Sequence, residues 1–352
     1  MKLQRHVPRG VGASLAAALL FGGGTPLAKL LLEQASPWLL AALLYLGSGL
    51  GLALLRWARG TPAARLPTGD ARWLVAAVLA GGVVGPVLLM LGLAAMPASA
   101  ASLLLNAEAV FTALLAWFVF RENVDRRVAL GMLAIVAGGL ALAWPGQSNW
   151  PGWEPSLLVI AACFAWAVDN NLTRRVALAD ATWIAMVKGL AAGATNLVLA
   201  LALGTSWPAL PVVLAAGLVG FASYGASLAL FVVALRELGT ARTAAYFSVA
   251  PFFGAALAVV LLGDPVTAPL VIAGALMAVG VALHLSERHV HRHVHQATEH
   301  THDHVHEAAD GHHDEGHGVV TPAGIRHSHP HRHEALVHSH PHFPDAHHRH
   351  EH

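Results

Sequence analysis

LGLAAMPASAASLLLNAEAVFTALLAWFVFRENVDRRVALGMLAIVAGGLALAW, residues 91–144, returns 142 positions later as VALRELGTARTAAYFSVAPFFGAALAVVLLGDPVTAPLVIAGALMAVGVALHLS, residues 233–286. At that offset Glu122 falls on Asp264, Val124 on Val266, Phe111 on Phe253 and Gly138 on Gly280. Each copy is two apolar runs joined by a short acidic turn. The organisation is therefore that expected of an internally duplicated membrane protein, and duplication of this kind points to transport.

Composition supports a membrane setting. About a quarter of a water-soluble protein's residues are charged; here the share is 12%, against 56% hydrophobic. The charges are sparse between residues 10 and 286 and dense beyond. A soluble all-α protein would need polar faces on its surface helices, and most of these runs have none. The net charge of +1 says little, because its distribution carries the information. A single cysteine, Cys163, excludes an intrachain disulfide framework and a cysteine-only metal site.

Apolar runs lie at approximately 11–32, 37–56, 73–95, 98–120, 127–144, 155–174, 181–204, 210–235, 240–263 and 267–285. Most approach the roughly 20 residues that cross a bilayer as a helix. The first follows Lys2, Arg5 and Arg9 and shares that pattern with cleavable signal peptides. Its end, Leu27-Ala28-Lys29, however, matches Leu172-Thr173-Arg174 at an offset of 145, so it is expected to be retained as a first helix. With a cytoplasmic N-terminus, the inner connections hold sixteen Lys and Arg and the outer ones none. That asymmetry supports ten crossings. Five crossings per copy is odd, so the copies lie upside down to each other: Arg121-Glu122 faces inward, beside Arg126 and Arg127, and Gly263-Asp264 faces outward.

The expected fold is thus an all-α integral membrane protein of ten transmembrane helices in two inverted five-helix repeats, over 1–144 and 145–286, plus a disordered His-rich tail over 287–352. The order of features resembles the EamA family of the drug/metabolite transporter superfamily. These features are a basic residue near the end of each half's first helix (Lys29, Arg174) and an acidic turn after the fourth helix (Arg121-Glu122, Gly263-Asp264). The resemblance covers roughly residues 10–286 and implies carriage of solutes such as amino acids, other metabolites or drugs through a pocket between the halves. It also implies a proline midway along each fourth helix. Pro251 fits, but the matching position in the first half is Ala109, beside Glu108.

Charges inside a membrane are costly and mark function unless a partner explains them. Glu108 lies near midspan and reads as a proton-coupling or cation-binding carboxylate, or else as a protonated group bridging helices. Asn106, two residues away, lies roughly 200° around the helix and faces other neighbours. Trp166, Asp169, Asn170 and Thr173 share one helical stripe. Asp169 and Lys188 match in depth to within roughly a turn, which predicts an ion pair serving as lock or gate. Lys29 either snorkels to the interface or lines a pocket. Tyr224, Tyr246 and Ser248 offer hydroxyls near the repeat interface, while Gly81 and Gly85 read as close-packing residues.

The tail from 287 to 352 holds 22 histidines. They alternate as His289, His291, His293, His295 and again as His302, His304, His306. The run HSHPH occurs twice, at His327, His329, His331 and at His338, His340, His342; His347, His348, His350 and His352 close the chain. In an extended chain a His-X-His pair offers two imidazoles to one ion, and imidazole suits Zn²⁺, Ni²⁺, Cu²⁺ and Co²⁺. Five arginines against ten carboxylates leave the tail at −5 with neutral histidines, so a pH-responsive polyelectrolyte is the competing reading.

No enzyme constellation and no nucleotide-phosphate loop is present, and no basic stripe interleaved with aromatics suggests nucleic acid. The sequence points to a secondary transporter of a small solute, linked through its tail to Ni, Co or Zn handling and requiring no cofactor in the membrane domain. A membrane-anchored metal buffer or sensor without transport is the alternative. The expected partners are the lipid bilayer and a small-molecule or metal substrate; a homodimer is compatible with the sequence. A bacterial inner-membrane location with both termini cytoplasmic is expected.

Overall fold

A computed structural model describes residues 9–61, 69–120, 126–142, 152–173, 180–238, 243, 246–285, 289–295, 298–305, 326–333 and 336–342. Contacts divide the chain into a helical body, through Glu287, and a unit over Arg288–Pro344. The Arg121-Glu122 turn and Arg174 lie outside the described residues.

Every expected apolar run has a helical counterpart. These are α1 (Arg9–Leu31), α2 (Pro37–Ala58), α3 (Ala71–Ala77, Val78–Val84 and Gly85–Ala94), α4 (Ala98–Leu104 and Ala107–Phe120) and α5 (Arg126–Leu142). They continue as α6 (Trp153–Thr173), α7 (Ala181–Ala202), α8 (Leu210–Gly220, Phe221–Ala226 and Ser227–Leu238), α9 (Ala250–Leu262) and α10 (Ala268–Leu285). Local chemistry sets several ends. Ser36 Oγ accepts the Leu39 amide and Pro37 takes the first turn of α2. Asp180 caps α7 by accepting the Thr182 and Trp183 amides. Gly263, at φ +69°, closes α9 in the left-handed conformation that glycine adopts without strain.

Among the described residues, seven helices are long and apolar enough to cross a membrane, while α9 and most of α10 form shorter apolar helices. The outward faces are apolar: Leu54, Trp57, Leu133 and Val260 are 62%, 79%, 65% and 77% exposed. Such a surface suits lipid and would be a liability in water.

Two irregularities recur in both halves. In α3, Val78–Val84 is a π-helix, and in α8 so is Phe221–Ala226, about 142 positions on. Pro86 cannot donate to an i−4 carbonyl, and the wide turn before it absorbs the mismatch. The second break interrupts α4 at Leu105-Asn106 and precedes α9 at Ser248-Val249, again about 142 apart. Pro251 accounts for the later one. In α4, where alanine stands for that proline, Asn106 Nδ2 donates to the Leu103 carbonyl at 2.9 Å, so a side chain competes with the backbone ladder.

The main helix packings recur when each helix is exchanged for the one five places on. Helix α1 packs on α8 and α9, as α6 packs on α3 and α4; α2 packs on α7, α4 on α9 and α5 on α10. The α2–α7 crossing is reciprocal. A Cβ on Gly49 would stand 2.6 Å from the Leu190 nitrogen, and one on Gly193 would stand 2.6 Å from the Leu46 nitrogen. At an offset of 144, Leu46 and Gly49 correspond to Leu190 and Gly193, the mutual pairing that a two-fold relation produces.

The second unit corrects the expectation of a wholly disordered tail. It contains strands β1 (His289–His295), β2 (Thr298–Val305), β3 (Arg326–His333) and β4 (Leu336–His342). Strand β1 pairs antiparallel with β4, and β2 with β3. Low apolar content argues against a packed core but not against local pairing, and the period-two sequence with Val290, Val294 and Val337 has strand character. His306, His347, His348, His350 and His352 lie outside the described residues.

Gly49→Ala should lower stability by about 1–3 kcal/mol through overpacking against backbone, even after the helix-propensity gain of about 1 kcal/mol. Gly217→Ala, whose Cβ would meet nothing within 4 Å, should be neutral or slightly stabilising. Thermal unfolding in detergent micelles compares the two; equal melting temperatures would refute the close crossing.

Candidate functional site

Pro86 has no amide to offer the Gly81 carbonyl five residues before it in the π-helix of α3, and side chains from three other helices reach this carbonyl and the next. Gly81 O accepts from Tyr45 OH of α2 at 2.9 Å and from Trp166 Nε1 of α6 at 2.8 Å. Gly82 O accepts from Asn196 Nδ2 of α7 at 3.0 Å. The glycines also permit the approach. A Cβ on Gly81 would collide with the Asp169 carboxylate, and one on Gly85 would stand 2.8 Å from Trp166 Nε1. Gly81 and Gly85 thus do serve close packing, as expected, and Gly81 is additionally the acceptor at the centre of the web.

Asp169, one turn beyond Trp166, is buried. Both of its carboxylate oxygens lie 2.6 Å from Lys188 Nζ, and Thr173 Oγ1 donates to Oδ1 at 2.9 Å. The ion pair expected from matching depths is formed, between α6 and α7. A buried charge is tolerated when paired and hydrogen-bonded, and here a bidentate ammonium and a hydroxyl do both.

Asn170, the next residue, is exposed and donates Nδ2 to Glu108 Oε1 at 2.7 Å. Glu108 is half-buried in the first turn of the second segment of α4, just past the break. A carboxylate in a helix's first turn meets the positive end of the peptide dipoles. Asn106 behaves differently, as its angular separation predicts: it is buried, bonded to Leu103 O and 3.8 Å from Met277 Sδ of α10. Cys163 is buried with Sγ 3.6 Å from Leu104 O, so the lone thiol serves the carbonyls at the break.

Other expected site residues fall elsewhere. Lys29 neither lines this web nor merely snorkels: Nζ donates to Leu93 O at 2.7 Å and Ala94 O at 3.0 Å, closing the carbonyl end of α3. Tyr224, in the α8 π-helix, packs its ring 5.6 Å from that of Tyr45 and edge-on to Phe21. Tyr246 and Ser248 flank Phe247 at the α9 break, where Phe247 packs on Phe21 and Phe231. Tyr45, Asn196 and the Gly81 carbonyl were not marked by the sequence. The pairing of Gly81-Gly82 with Gly85-Pro86 was the available signal for irregular backbone there. Among the described residues, no group of three His, Cys, Asp or Glu side chains stands together to hold a metal ion.

A second ionic contact joins the halves away from this web. Arg56, near the end of α2, donates Nη1 to Asp180 Oδ2 at 2.8 Å and to Thr182 Oγ1 at 2.5 Å. Burial works against the Asp180 charge, but hydrogen bonds from Arg56, Thr182 and the Trp183 amide outweigh it and hold the carboxyl at about 2.

Comparison with known proteins agrees with this architecture. The model of the EamA-like transporter family matches twice, over residues 8–144 and 154–286. A protein of Methanothermobacter thermautotrophicus named "uncharacterized transporter" is 30% identical over 286 residues, 76% of this chain and 83% of its own. A "probable amino-acid metabolite efflux pump" of Salmonella typhimurium is 26% identical over 219 residues, 56% of this chain and 70% of its own. One solved crystal structure aligns with a TM-score of 0.59 at 21% identity, over 78% of this chain and 95% of its own, a likeness of fold.

Because the folded-state pKa of Asp180 is depressed, its contribution to stability is full above the ordinary carboxylate range and is lost as pH falls from about 4 towards 2. Thermal unfolding of the wild type should fall more steeply across that window than that of Asp180→Asn. The difference should be about 1–3 °C and shrink with added salt, since this carboxylate is more than a third exposed. Parallel curves would refute a stabilising Arg56–Asp180 contact.

Proposed function

The chain belongs to the EamA-like transporter family, and we propose that it moves a small solute across the bacterial inner membrane by alternating access between two inverted five-helix halves, with both termini in the cytoplasm. One observation supports this above the others. The backbone is irregular at corresponding places in the two halves, and polar side chains gather at those of the first half. Paired interruptions within apolar helices are where secondary transporters of repeat architecture bind their substrates and coupling ions.

The geometry supports the following roles. Glu108 is reachable beside an exposed Asn170, holds a neutral amide as its hydrogen-bond partner, and sits at a half-helix N-terminus. That makes it the carboxylate for a cation or a coupling proton. Asp169 and Lys188 form the gate: their bond ties α6 to α7 and presses on Gly81, so opening it frees the α3 π-helix to move. Tyr45, Trp166 and Tyr224 supply an aromatic wall. A solute carrying an amino group and an acid group would find a partner for each in Glu108 and Lys188. The amino-acid metabolite efflux assigned by name to one relative is in keeping with such a solute.

In this reading the tail adds metal binding on the cytoplasmic side, coupling transport to Ni, Co or Zn status. The body offers oxygen ligands, so a bare transition metal is a poorer match to it than to the tail.

Solute flux into vesicles, measured for the full chain and for a chain ending at Ser286, tests the proposal. Flux should survive truncation and lose only its response to metal. Glu108→Gln and Asp169→Asn should each cut flux about tenfold or more while leaving the melting temperature nearly unchanged. Normal flux in both variants would make these side chains structural. No flux of any candidate solute, with metal still bound, would favour an anchored metal buffer instead.

A further inference from the structure

We propose that the tail binds transition-metal ions between its paired strands, with one imidazole site in each of two ladders built to the same plan. The register carries this. In the first ladder His289 stands opposite His342, His291 opposite His340, and His293 opposite His338. In the second, His300 stands opposite His331, His302 opposite His329, and His304 opposite His327.

Alternate residues of a strand share a face, so each ladder gathers three consecutive cross-strand histidine pairs on one face. The two HSHPH runs, at 327–331 and 338–342, are used once each and against different partners. Slipping either ladder by one residue would set histidine against Val290, Arg292, Thr301 or Asp303 and destroy every pair. The repeat, the spacing and the register therefore agree.

Directly opposed residues have Cβ atoms about 4.5–5.5 Å apart. Two neighbouring pairs place four histidines at adjacent register positions of one face, as many donors as fill a tetrahedral Zn²⁺ or Co²⁺ shell or a tetragonal Ni²⁺ or Cu²⁺ shell. Without an ion, opposed histidines repel when protonated, and an isolated two-stranded ladder is marginal in water. An ion would replace that repulsion with bonds and join strands that residues 296–335 separate in the chain. This deepens the metal-binding reading of the tail and rests on it, but not on transport.

The test counts tightly bound Ni²⁺ by calorimetry on the full-length chain in detergent micelles at neutral pH, purified without a histidine tag. The wild type should bind about two ions, one in each ladder. Replacing His291, His293, His338 and His340 with Ala should remove about half of the tight sites. The same treatment of His302, His304, His327 and His329 should remove the other half, and the combined variant should retain none. Replacing His312, His313, His347 and His348, outside both ladders, should change nothing.

If that control loses as many ions as the ladder variants, or if the ladder variants keep both ions, the registered sites are refuted while metal binding by the tail stands. If the wild type binds no Ni²⁺, both readings end.

Discussion

Inside a lipid bilayer no water waits to satisfy a backbone amide or carbonyl, so a helix can depart from α geometry only where the protein itself supplies partners. This constraint organises the helical body. In the π-helix of α3 Pro86 leaves the Gly81 carbonyl without a backbone donor, Tyr45 and Trp166 reach it from α2 and α6, and Asn196 of α7 reaches the Gly82 carbonyl beside it. The break in α4 takes the Asn106 amide and the Cys163 thiol at its carbonyls. Each irregularity thus draws polar side chains from several helices to one place. Once gathered, these groups stand close together: Asp169 lies against Gly81 because the glycine leaves room, and Glu108 lies in the first turn of a new segment because the old one ended at Leu104.

Duplication supplied the frame twice, but the chemistry is concentrated in one copy. At the offset of 145 that relates α1 to α6, Phe21 corresponds to Trp166, Gly24 to Asp169 and Thr25 to Asn170. The first two of each set meet a π-helix. In one copy Asp169 fills the space above Gly81; in the other a Cβ on Gly24 would lie 2.9 Å from Ser223, so the smaller residue is on α1 and the larger on α8. Phe21 meets Tyr224 edge-on where Trp166 meets a carbonyl. Equivalent packing has been kept while charge has been confined to one side. A site with a single charged flank can hold a polar solute in a definite orientation, which two identical flanks would not do.

Much of this was legible in the residues because membrane helices announce themselves by length and apolarity. The runs, their turns and the depths of Asp169 and Lys188 need only a rise per residue, and the ion pair followed from them. Asn106 and Glu108 parted as a two-residue step around a helix requires. What escaped was the role of the backbone. Tyr45 reads as one more apolar-helix aromatic until Gly81 O is known to be free. Lys29 has a long stem that reaches lipid headgroups as readily as the end of α3, and only the position of Leu93 and Ala94 separates these outcomes. In the tail, composition suppressed the expectation of strands, although its alternation already had the strand period.

The body and the tail present different donors, and this bears on what each can hold. Glu108, Asp169 and Asn170 offer oxygen, with a lysine ammonium already occupying Asp169. The tail offers imidazole in quantity. Borderline ions such as Ni²⁺ and Zn²⁺ favour nitrogen over oxygen, so an ion at home in the proposed ladders would lose affinity on entering the body. Passage of such an ion would therefore require a chelating solute that brings its own donors, whereas regulation by the ion requires no entry. The division of ligand types thus keeps the donors suited to a transition metal and those suited to a polar solute on separate parts of one chain.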